Sequence, residues 1–98
     1  MTAKKRSPLY QWEQEMIDTF YDYQWHLVLD PLYEQFQQWK AGEVSHAEMD
    51  EAIHKTHKSC QQVYSLFTTK RDFLVSAIQF NEEWFREWAK DHPKPDAP

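Results

Sequence analysis

The chain has 98 residues, a net charge of −5, 41% hydrophobic and 16% aromatic residues, and one cysteine. That length gives a single domain with a thin core, and the acidic balance argues against general binding to nucleic acid or an anionic membrane. The lone cysteine excludes an internal disulfide and fits a reducing compartment. No apolar run approaches membrane-spanning length and no apolar stretch follows Lys4-Lys5-Arg6, so the expectation is a soluble cytoplasmic protein.

One Gly against five Pro, with the Pro near the ends or at one junction, favours long helices over turns and strands. Residues 1–8 read as a disordered basic tail. Its three charges solubilise an end and are too few for a binding patch, although a small antitoxin-like regulator would use such a tail to touch nucleic acid.

Residues 9–29 form the first predicted helix. Leu9, Trp12, Met16, Phe20, Tyr23 and Leu27 recur at helical spacing, and Tyr10, Ile17, Tyr21 and Val28 widen the apolar arc until it can touch two neighbours. Asp22 and His26, four apart, read as a surface pair, or as two ligands if another helix adds more. At Asp30-Pro31 an N-cap residue precedes a favoured first-turn proline. A short helix is therefore expected over 31–40, with continuation through a kink as the other outcome. Leu32, Phe36 and Trp39 are its expected buried side, with Tyr33 at the edge.

Gly42 suits the left-handed residue that ends a helix. Ser45-His46-Ala47-Glu48 is a capping box that opens a helix over 45–67. Met49, Ile53, Thr56, Cys60, Val63 and Phe67 form its apolar seam. Beside the seam runs a second stripe of His46, Asp50, His54, His57 and Gln61. Two imidazoles and a carboxylate are a common ligand set for zinc and non-haem iron. His46, Asp50, His54 and His57 are therefore the candidate metal ligands, completed by Glu34, Asp22 or His26, or by a second subunit. The plainer reading is a polar helix edge, because the spacing lacks the His-x-x-x-His of two ligands on one turn. No cofactor is otherwise implied.

Glu43-Val44-Ser45-His46 and Glu51-Ala52-Ile53-His54 each fit the Glu-x-x-His of di-iron bundles, but the copies are close together and the first lies in a turn. Cys60, one turn from His57, could act as a nucleophile with a base. A small inert residue on the seam is the simpler expectation. Lys55, Lys58, Lys70 and Arg71 could gather against a phosphate, or form a solvated face.

Thr69 with Asp72 three residues on suggests another start signal, and a last helix over 70–91. Phe73, Leu74, Ala77, Ile78, Phe80, Trp84, Phe85 and Trp88 form its wide apolar arc. His92-Pro93 stops it, and 93–98 is a tail. The expected fold is an all-α bundle of about four helices (9–29, 31–40, 45–67, 70–91) in one domain, 9–92.

The run Tyr33-Glu34-Gln35-Phe36-Gln37-Gln38-Trp39-Lys40-Ala41-Gly42-Glu43, followed by Glu48 and by Ile53-His54-Lys55-Thr56-His57, resembles a pattern in small uncharacterised all-α bacterial proteins. The likeness covers about a quarter of the chain. It implies a helix–turn–helix unit and no catalytic activity.

Sixteen aromatics exceed what a thin core hides. The leading expectation is a non-enzymatic protein–protein interaction module, self-associating as a homodimer or other homo-oligomer. Trp25, Phe80, Trp84, Phe85 and Trp88 are its candidate interface residues. The metal-binding bundle is the alternative, and the regulator a third.

Overall fold

The structure is a computed structural model that describes residues 6–96; most of the basic tail, residues 1–5, lies outside them. The protein is all-α: α1 Pro8–Lys40, α2 His46–Phe67, α3 Arg71–Phe80 and α4 Glu82–Lys90, with no strand among the described residues. No helix is long and apolar enough to cross a membrane.

The helices divide differently from the expected pattern at two places. The two helices expected over 9–29 and 31–40 are one helix of 33 residues with Pro31 inside it. Pro31 has no N–H, so the carbonyl of Leu27 four residues back loses its donor. Leu27 is 52% exposed, so water can satisfy that carbonyl and the helix need not end. The helix also begins one residue earlier than expected, because Ser7 caps it. The Tyr10 amide donates to Ser7 Oγ at 3.1 Å, and Pro8 takes the first helical position.

The second difference is at Asn81. The single helix expected over 70–91 is α3 and α4, separated by that one residue. On an unbroken helix Phe73, Phe80 and Trp84 would share one stripe. Phe73 and Phe80 face solvent, whereas Trp84 packs edge-on against Phe20 with ring centroids 4.8 Å apart. The break re-aims α4 so that its aromatics meet α1. Thr69, expected to cap this helix, instead donates its hydroxyl to Leu66 O at 2.7 Å, and closes the end of α2.

The described residues fall into two compact units, 6–20 with 70–96, and 21–69. In the first, Trp12, Met16, Ile17 and Phe20 of α1, Leu74, Val75 and Ile78 of α3, and Trp88 of α4 are buried. Side chains of this size each contribute about 1.5–3 kcal/mol on burial. Arg71 straps the unit from the start of α3. It donates to Gln14 Oε1 at 2.7 Å and to the Tyr10 carbonyl at 3.1 Å, and its guanidinium lies 3.8 Å from the Tyr10 ring centroid. At the chain's other end the Trp12 indole N–H donates to the His92 carbonyl at 2.7 Å.

The second unit is a helical hairpin. The capping box forms as expected: the Glu48 amide donates to Ser45 Oγ at 3.0 Å, and the Ser45 amide to the Glu48 carboxylate at 3.2 Å. Gly42 has φ +82°, the left-handed conformation that a side chain would disfavour. Trp39 and His46 meet across the turn, and Tyr21 and Phe67 meet at the open end with centroids 4.9 Å apart. The two helices are thereby antiparallel.

Candidate functional site

Three of the four predicted metal ligands, His46, Asp50 and His54, have local partners. His46 Nδ1 accepts from the Trp39 indole N–H at 2.9 Å. His54 Nδ1 lies 2.8 Å from the Asp50 carbonyl oxygen and 3.5 Å from Asp50 Oδ1, on the exposed outer side of α2. His57 lines a groove with Trp25, Cys60, Gln61, Tyr64 and Ser65. The four residues follow one stripe of a single helix, α2, from its first residue to His57. Among the described residues, no three His, Cys, Asp or Glu side chains are grouped so that they could hold a metal ion.

The other sequence candidates are similarly dispersed. Glu51 pairs with Lys55 at 3.0 Å, and Glu43 sits in the turn, its amide donating to Gln38 O at 2.9 Å. His26 is flanked by both carboxylates one turn away, Asp30 at 3.1 Å and Asp22 at 3.8 Å. Its hydrogen bond to Asp30, then the charge of Asp30 and of Asp22, raise its pKa above the usual 6.5. Lys55 and Lys58 belong to the hairpin, while Lys70 and Arg71 belong to the other unit, where Arg71 is engaged with α1.

The predicted interface residues separate into two kinds. Trp84, Phe85 and Trp88 pack within the first unit. Trp12 meets Phe85 at 6.0 Å and Trp88 at 5.5 Å, and Trp88 is buried. Phe80, by contrast, is 83% exposed. Trp25 is half-buried and lines the hairpin groove of about 630 Å³. Its indole N–H is shielded and has no hydrogen-bond partner.

The feature that sequence patterning missed is one flank of the hairpin. Leu29, Tyr33 and Phe36 on α1 recur at steps of four and three, as do Ile53, His57, Cys60 and Tyr64 on α2. Phe36 and Ile53 line one hollow, and Trp25, Cys60 and Tyr64 line the next along the same two stripes. Tyr33 is 64% and Tyr64 69% exposed, and Leu29, Phe36 and Ile53 are also exposed. Phe36, Trp39 and Ile53 were expected inside; all three are exposed, because two helices alone can cover only the centre of a seam. The stripe on the other side of that seam is mostly polar: Gln24, Gln35 and Gln38 on α1, and Glu48, Lys55, Ser59 and Gln62 on α2, interrupted by Val28, Ala52 and Leu66. A spacing of four and three onto Tyr33 from Leu29 and Phe36 was the available signal.

No family model, curated protein or solved structure matches the chain.

Proposed function

We propose that this protein is a self-associating interaction module, and that the apolar flank of the hairpin is the surface through which two copies meet. The observation that carries this reading is the uneven distribution of the core. Of the buried apolar residues described, eight belong to the first unit, and only Met49 and Val63 to the hairpin. A helix buries its stripe against neighbours on more than one side in a stable bundle. The hairpin supplies one neighbour and leaves a second apolar stripe in solvent.

A second copy supplies what is missing. Two hairpins related by a two-fold axis make a four-helix arrangement in which each flank covers the other, the self-complementary contact typical of homodimers. Leu29, Tyr33, Phe36, Ile53 and Tyr64 together expose roughly 500 Å² of side chain, a large part of the about 800 Å² that one partner presents in a standard interface. Tyr33 and Tyr64, rigid and amphipathic, suit the anchor role.

Native mass spectrometry of the untagged protein, compared with its denatured mass, reads subunit number and bound metal together. An apo dimer is the expected result. A stoichiometric metal lost in His54→Ala would replace this reading with a metal-binding one, and an apo monomer would exclude self-association.

A further inference from the structure

We propose that α4 is an exchangeable arm: two copies of this chain can each lend α4 to the other, seating the Trp84, Phe85 and Trp88 of one copy against the Trp12 and Phe20 of its partner. This contact uses the first unit and does not depend on the hairpin flank.

The hinge is a single residue. Asn81 has φ −77° and ψ 71°, the conformation of an inverse γ-turn. Its φ already suits a helix, so changing its ψ toward about −42° would join α3 and α4 into one helix over 71–90. The surrounding hydrogen bonds are nearly those of a helix. The Asn81 amide donates to Ile78 O at 3.0 Å, and the Phe85 amide donates to Asn81 O at 2.9 Å. No side-chain cap holds the bend at the start of α4. Neither glycine nor proline occurs from Arg71 to Lys90, and the apolar pattern alone favours the unbroken helix. Local preference therefore opposes the bend, and the aromatic contacts of α4 with α1 maintain it.

Those contacts are blind to which copy supplies α4. The Phe20–Trp84 contact at 4.8 Å, the Trp12–Phe85 contact at 6.0 Å and the Trp12–Trp88 contact at 5.5 Å can all reform between copies. Straightening Asn81 uncovers both the aromatic face of α4 and its seat on α1. The surface that complements each is found on a second copy in the same state. Short hinges that oppose local preference are the usual setting for such exchange.

The test compares Asn81→Ala with Asn81→Gly, both in full-length chains that carry Tyr33→Asp and Tyr64→Asp, so that the hairpin flank cannot supply a dimer. Alanine favours the straight helix and glycine disfavours it at each of two hinges. The expected dimer is thus roughly thirtyfold tighter for alanine, with higher helix content by circular dichroism. In a dimer mixed from isotope-labelled and unlabelled copies, filtered nuclear Overhauser effects should link the Phe20 and Trp84 rings of different copies. Equal association of the two variants, monomeric or dimeric, would overturn the proposal. So would an alanine dimer whose Phe20–Trp84 effects arise only within one copy.

Discussion

Trp39 reaches across the hairpin turn and donates its indole N–H to His46 Nδ1 at 2.9 Å. The bond fixes the tautomer, since His46 can accept at Nδ1 only with that nitrogen unprotonated. It joins the last turn of α1 to the first residue of α2, where the chain reverses. Replacing His46 by Ala, or Trp39 by Phe, should each lower stability by about 0.5–1.5 kcal/mol. Chemical denaturation of the two single variants and the double variant measures it. A double variant that loses the sum of the two singles would show that the residues do not act as a pair.

The turn itself should be sensitive at Gly42. Its φ of +82° disfavours any Cβ, although no atom within 4 Å would clash with one. Gly42→Ala should therefore cost about 1–2 kcal/mol from backbone conformation alone. Ser45→Ala, which removes one half of the capping box, should cost about 1 kcal/mol. Thermal unfolding of the two variants provides the check.

His26 should titrate above 6.5. Asp30, hydrogen-bonded to its ring, and then Asp22 favour the imidazolium, so the folded value lies above the unfolded one. The stabilisation is complete below about pH 6.5 and is lost as pH rises through the higher folded value. Because His26 is exposed, the effect on overall stability should be small. A proton NMR titration measures the pKa directly, and Asp30→Asn should move it back toward the ordinary value.

The aromatic residues of the first unit should divide sharply. Phe20, almost fully buried and stacked edge-on with Trp84, should cost about 3–5 kcal/mol when changed to Ala. Phe80→Ala should change stability by less than about 0.5 kcal/mol, because its ring lies in solvent. Urea denaturation curves of the two variants distinguish them.

Where the chemistry was local, it could be read from sequence. The Ser45–Glu48 box, the left-handed Gly42 and the α2 seam through Met49 and Val63 are set by residues within a turn or two of each other. The break at Asn81 was not legible, because nothing near Asn81 demands it; it follows from contacts with Trp12 and Phe20, more than sixty residues earlier. Pro31 misled in the opposite direction. A proline usually ends a helix when the freed carbonyl is covered, and here that carbonyl belongs to an exposed turn. The histidine stripe was visible as spacing, but spacing on one helix does not fix which side chains point to a common centre. The hairpin flank was hidden for a related reason. Periodicity shows that Tyr33 and Ile53 lie near an apolar arc, but not how many helices cover that arc.

The most direct test of the hairpin surface is sedimentation equilibrium of the parent protein beside the full-length Tyr33→Asp, Tyr64→Asp variant, with circular dichroism to confirm that both are folded. A parent that dimerises and a folded variant that associates far more weakly is the expected result. A parent that remains monomeric across the accessible concentration range, or a variant that dimerises as strongly as the parent, would contradict association through this flank.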